Sequence, residues 1–228
     1  MNHTPAQPRL TAKQARPGWM RHFAHPRGLP GRLVGQFMAV KNASINAAAV
    51  EMLGIQPTDS VLEIGYGPGD AIARLAERVP QGAVCGIDIS HTMQRLASRR
   101  NRTLVRAGRV QLYEAGAESI PFPAASFERV VAINNFHIWD DRAAGLSEIH
   151  RVLKPGGLIL LVARTAPAAP GKYVPPGLDD RAVDRAVVEI EAAGFEDLQV
   201  ERRDAGRQVV GIRGIRSRSA HVPEDPIL

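Results

Sequence analysis

The chain has 228 residues, 44% of them hydrophobic and 23% charged, which suits one α/β domain whose core needs no covalent staples. Its lone cysteine, Cys85, excludes an intramolecular disulfide, and the apolar run around it reads as a buried inert thiol rather than a reactive one. The net charge of +6 would suit an anionic partner, but much of the excess lies near the two ends, and with aromatics at 5% no stretch interleaves basic and aromatic side chains, so nucleic acid is disfavoured.

In chain order, residues 1–18 are polar and rich in Pro, Gln and Ala, and are expected to be a disordered tail without a secretory signal. Residues 19–55 are expected to form N-terminal cap helices. Leu33, Val34, Phe37 and Met38, then Ile45, Ala49, Val50 and Leu53, recur at helical spacing, with a break expected near Lys41–Asn42. Residues 56–214 then alternate strand and helix. Strands are expected at 60–65, 83–89, 110–114, 129–133 and 158–163, and helices at 70–78, 90–100, 142–153 and 179–193. Ser90 is a good N-cap, and Pro155–Gly156–Gly157 stops the helix before it. Strands at 198–202 and 208–212, joined by a short link, favour a C-terminal antiparallel hairpin. Residues 215–228 read as a flexible tail. The pattern predicts a Rossmann-like, doubly wound, mostly parallel seven-stranded α/β sheet. The longest apolar run near the middle, Leu158 to Ala163, is too short to span a bilayer, so the cytoplasm is the expected location.

The strongest site signal is Val61-Leu-Glu-Ile-Gly-Tyr-Gly-Pro-Gly-Asp70, a buried strand running into a glycine-rich turn and then a helix. Gly65, Gly67 and Gly69 let the backbone bend sharply and approach a ligand at the carboxyl end of the sheet. Asp88 ends the next strand, 23 residues after Gly65, where a carboxylate can accept from a ribose diol; a turn or N-cap acid is the plainer alternative. Redox dinucleotide sites use G-x-G-x-x-G, whereas this chain has G-x-G-x-G with Asp70 where the third dinucleotide glycine would stand.

With Glu63 two residues before the first glycine, this turn resembles motif I of class I S-adenosylmethionine-dependent methyltransferases. The similarity extends over roughly residues 56–163. GIDIS matches the acidic strand end, ESIPFPAASFERVVAINNFHIWDD the loop and fourth strand, and EIHRVLKPGGLILLV the helix and strand after them. The branch it looks most like contains the ubiquinone and menaquinone biosynthesis methyltransferases and many small-molecule enzymes. The resemblance implies S-adenosylmethionine as cofactor and a small organic acceptor. By it, Glu63 and the Gly65–Gly69 turn would meet the methionine part, Asp88 the ribose, Ile89 and the Ala117 backbone the adenine, and Asn134 the methionyl end. The family often has Gly-Asp-Ala where this chain has Ala115-Gly116-Ala117, so Glu118 or a water would have to take over the adenine amine.

The sulfonium of such a cofactor activates its own methyl group, and a general base is needed only where the acceptor must lose a proton. His137 is the candidate base, with a structural histidine as the alternative. Tyr66 either covers the cofactor or packs in the core. Trp139 is expected at the pocket wall, and Tyr173 in a lid or an exposed loop. His22, Phe23, His25 and Phe37 are candidate substrate-side residues of the cap. His22 and His25 stand three apart with no second ligand cluster, so no metal is expected. An RNA, protein or membrane-borne acceptor is the alternative that the charge motivates, and a non-catalytic binding module is the remaining one. The oligomeric state is left open.

Overall fold

The computed structural model describes residues 42–165, 177–206 and 208–218. Helix α1 covers 42–52. There follow β1 (Ser60–Ile64), α2 (Asp70–Arg78), β2 (Ala83–Asp88), α3 (His91–Arg100), α4 (Arg102–Arg106), β3 (Val110–Glu114), β4 (Phe127–Ile133), a single 3₁₀ turn (Phe136–Ile138), α5 (Arg142–Val152), β5 (Leu153–Arg164), α6 (Asp180–Ala192), β6 (Phe195–Asp204) and β7 (Gln208–Arg216). The seven strands form one sheet in the order β3-β2-β1-β4-β5-β7-β6. β1 to β5 run parallel, and β7 enters antiparallel between β5 and β6. The expected Rossmann-like architecture with its C-terminal hairpin is therefore present.

Successive side chains of the central strands point to opposite faces, and both of those faces are apolar. Leu62, Ile87, Val130, Ile159 and Leu161 join one buried cluster with Leu146 and Ile149 of α5 and Ile190 of α6. Val61, Val84, Val131, Leu160 and Val162 join a second with Ile45 and Ala49 of α1, Leu53 just after it, and Ile72 and Leu75 of α2. Cys85 lies in the first cluster, and burial pushes its thiol up to about 11, so it stays protonated and inert at neutral pH.

Several boundaries differ from the sequence reading. Ser90 caps α3 as expected, accepting from the Met93 amide at 3.4 Å. The short helix α4 was not foreseen; Asn101 both ends α3 and precedes α4. Helix α5 ends one residue early, and β5 begins at Leu153 instead of 158, because Leu153 pairs with Phe127 before the Pro155–Gly157 irregularity shifts the register. β6 and β7 are each longer than their apolar stretches, since charged side chains occupy the exposed face of the edge strand β6.

Candidate functional site

Strand order reverses between β1 and β4, where α/β sheets open a crevice. A cavity of about 260 Å³ lies there, at the carboxyl ends of β1, β2 and β4 and beneath the start of α1.

The glycine turn forms its floor. Gly65 donates its amide to Ile87 O at 2.7 Å, and Gly67 donates to Asp88 Oδ2 at 2.9 Å. The other Asp88 oxygen accepts from the Ser90 amide at 2.8 Å. Asp88 thus holds the turn. Two oxygens offer about four acceptor positions, so capacity remains for a ribose diol as well. Gly65 has φ 70°, and a Cβ there would stand 2.2 Å from Asn135 Nδ2. Gly67 has φ 52° and would meet nothing within 4 Å, which leaves that face of the turn open. Gly69 does not line the cavity but packs on Ala97 and Asn101 of the neighbouring helices.

Among the described lining residues the ionisable groups are the carboxyls of Glu63, Asp70, Asp88, Glu118 and Asp140, with no Lys or Arg. Asp70 is the most neutralised: it accepts from Asn46 Nδ2 at 3.0 Å and pairs with Arg74 at 3.1 Å and Arg100 at 3.3 Å. Glu63 sits at the back of the cavity, 3% exposed, on the β1 face turned toward α1 and α2. Its Oε2 has no hydrogen-bond partner among the described residues. Burial first, then Asp88 and Asp70, push its carboxyl up to about 8. Such a site suits a cation and repels the pyrophosphate of a dinucleotide. A sulfonium with an amino-acid tail carries a net positive charge and brings the donors that Glu63 lacks, so the residues present fit S-adenosylmethionine.

Of the cofactor residues read from sequence, Glu63, Gly65, Tyr66, Gly67, Asp88, Ile89, Ala117, Glu118 and Asn134 line the cavity. Ile89 lines the cavity beside Asp88 and is 46% exposed. Glu118 folds back over Gly116, placing its Oε2 2.7 Å from where a Cβ of Gly116 would stand. Asn134 adopts φ 57°, and its Oδ1 accepts from the Arg164 amide at 3.4 Å. Tyr66 lines the cavity but is buried in the second core, with its hydroxyl donating to Tyr113 O at 3.2 Å. Its phenol is held above the ordinary range by burial, then by Asp88, Glu114 and Glu63.

On the acceptor side, Trp139 lines the wall with Ile138, whereas His137 is half-buried in the 3₁₀ turn and is not among the lining residues. His22, Phe23, His25, Phe37 and Tyr173 lie outside the described residues. Among the described residues no cluster of His, Cys, Asp and Glu could hold a metal.

Among the lining residues that escaped the sequence reading are the polar Asn42, Asn46 and Asn135. Asn42 and Asn46 stand one helical turn apart on α1, and that spacing is a usable signal. Asn42 accepts from the Arg164 guanidinium. Asn135 donates to Ile64 O at 2.6 Å, 71 residues away, and no local pattern announces such a contact.

A family model described as a methyltransferase domain matches residues 61–157. An uncharacterized methyltransferase, YdaC of Bacillus subtilis, is 35% identical over 171 residues, covering 74% of this chain and 89% of that protein. The ubiquinone/menaquinone biosynthesis C-methyltransferase UbiE of Geotalea daltonii is 32% identical over 120 residues, covering 52% of this chain but only 51% of that protein. Among solved structures, a SAM-dependent methyltransferase from Aquifex aeolicus superposes with a TM-score of 0.65 at 18% identity, over 81% of this chain and 97% of that one. At that identity the likeness concerns the fold.

Proposed function

The chain belongs to the class I S-adenosylmethionine-dependent methyltransferases, and on that premise we propose that it methylates a small organic acceptor by in-line displacement. The observation that carries the reading is the acid-lined cavity, with Glu63 Oε2 unsatisfied at its back and no basic side chain among its described lining. The cofactor supplies a methyl group already activated by its sulfonium. Everything else falls to the chain, which must bind, orient and exclude water.

In this reading the Asp88 carboxylate keeps the Gly67 turn in place and accepts from the ribose hydroxyls. Ile89 packs on the adenine, the Ala117 amide donates to its ring, and Glu118 takes the exocyclic amine across Gly116. Glu63 and Asn134 face the methionyl end. Tyr66 supports the turn from below. Trp139 and Ile138 form the apolar wall against which the acceptor lies. A base is needed only where the acceptor has a proton to lose, and His137, which does not line the cavity, could serve only if its ring turned toward the acceptor; a neutral amine or thiolate acceptor needs none.

The C-methyltransferase named among the relatives acts, by its name, in quinone biosynthesis, which supports an organic acceptor here. The carboxylates around the cavity disfavour a nucleic-acid strand as acceptor. The cap reading of residues 19–55 is supported by Asn42 and Asn46, which reach the cavity from α1. Among the described residues no helix is long and apolar enough to cross a membrane, and a cytoplasmic location remains part of this proposal on the sequence grounds above.

Calorimetric titration with S-adenosylmethionine, alongside NAD, tests the cofactor half. Binding of the sulfonium alone is expected; NAD binding without it overturns the reading. Transfer of labelled methyl from S-adenosylmethionine across a panel of phenols, amines, thiols and quinols tests the acceptor half. Label entering only RNA or protein would reject a small acceptor.

A further inference from the structure

Asn135 uses both ends of its side-chain amide. Its Nδ2 donates to the carbonyl of Ile64, the last residue of β1, at 2.6 Å, and lies 3.5 Å from Gly65 O. Its Oδ1 accepts from Trp139 Nε1 at 3.1 Å. The missing Cβ of Gly65 is what makes the first contact fit, since the position it would occupy is 2.2 Å from Nδ2. Trp139 is fixed from two further sides. Its ring meets Phe136 edge-on, with centroids 5.1 Å apart, and covers Gly145 of α5, where a Cβ would stand 2.8 Å from the indole. Asn135 and Trp139 both line the cavity. One amide therefore spans from the strand end that launches the glycine turn to the wall on the acceptor side.

We propose that Asn135 is a positioning residue that ties the orientation of Trp139 to the glycine turn, so that the acceptor wall and the cofactor cradle move and lock as one unit. An amide is suited to the position because it donates at one end and accepts at the other; Asp offers no donor for Ile64 O, and Leu offers neither group. The inference rests on the methyltransferase reading, because it takes the turn to be the cofactor cradle.

The test is a double-mutant cycle with S-adenosylhomocysteine as probe. Asn135→Leu keeps the size and removes both hydrogen bonds, while Trp139→Phe keeps an aromatic face and removes the N–H. Each single variant is expected to weaken binding about fivefold, the worth of an ordinary neutral hydrogen bond, and the double variant no more than about fivefold. Independent losses that multiply to about 25-fold overturn the coupling. In a Trp19→Phe background Trp139 is the only indole, and its emission is expected to respond to S-adenosylhomocysteine in the Asn135 protein but not in Asn135→Leu. An unchanged response in Asn135→Leu also overturns the inference. Failure of the unmutated protein to bind the probe sinks the cofactor reading itself, and this inference with it. The same cycle read in urea midpoints shows whether a variant has lost its fold.

Discussion

The amide of Gly67 donates to Asp88 across 2.9 Å, so a single carboxylate holds both the glycine turn and, through Ser90, the entry to α3. Ligand recognition and local folding therefore share one side chain.

Asp88→Asn should harm both. The Asn side chain can accept from only one of the two backbone amides, and its NH₂ faces the other. For a buried group left unsatisfied the expected loss is about 1–3 kcal/mol of stability. Urea denaturation measures it. S-adenosylmethionine affinity should fall at least about tenfold, since a further charge-assisted partner is lost.

Glu63 makes cofactor binding proton-linked. Its carboxyl is pushed up to about 8 by burial and its acidic neighbours, so it is largely protonated at pH 7 in the free protein. A cation beside it favours the ionised form, and binding should release a proton. Titrations at pH 7 in buffers of different ionisation enthalpy should give different apparent heats for the protein and equal heats for Glu63→Gln. The stability sign follows from the same shift. Between the ordinary carboxyl value of about 4.5 and about 8 the folded state holds the extra proton, so Glu63 contributes stability below about 4.5 that is lost as pH rises through about 8. Glu63→Gln should therefore raise the melting temperature at pH 8.5 and leave it nearly unchanged at pH 4.

Two alanines in the turn should separate fold from ligand. Gly65→Ala drives a methyl into Asn135 and should cost about 2–4 kcal/mol of stability, combining backbone strain with overpacking. Gly67→Ala meets open space, so only the backbone cost of about 1–2 kcal/mol applies. Its methyl would point where the ligand approaches, and affinity should suffer more than stability. Equal ratios of the two losses in both variants would argue against an open face at Gly67.

Glu118 and Gly116 should be exchangeable. Glu118→Ala is expected to weaken S-adenosylmethionine about fivefold, for one lost hydrogen bond worth about 1 kcal/mol. Adding Gly116→Asp in that background fills the space Glu118 vacated and should restore most of the affinity. Restoration by Gly116→Asp with Glu118 intact is not expected, because the new Cβ would meet the Glu118 carboxylate.

What could be read from sequence was local. The run from Val61 to Asp70 announces strand, turn and helix in ten consecutive residues, and Asp88 follows at the next strand end. The glycines there do different work, however, and only packing tells them apart: Gly65 makes room for Asn135, and Gly69 for Ala97 and Asn101. Tyr66 lies inside the turn in sequence yet under the sheet in space, because the ring fills the gap left by Gly86. Asn135 was passed over in favour of its neighbour Asn134, as its partners are one strand and a full turn removed. The start of β5 was placed late because the Pro–Gly–Gly irregularity, in sequence, has the composition of a loop.

The last strand made is not the last strand in the sheet. β6 pairs only with β7, and β7 must slip between it and β5. During synthesis, β6 can have no neighbour until residues 208–216 have emerged, and until then the flank of β5 stays bare. A chain cut before Gln208 would keep its entire ligand cradle and still offer an unprotected flank to other chains, so shortened forms should clump before they lose the means to recognise their ligand.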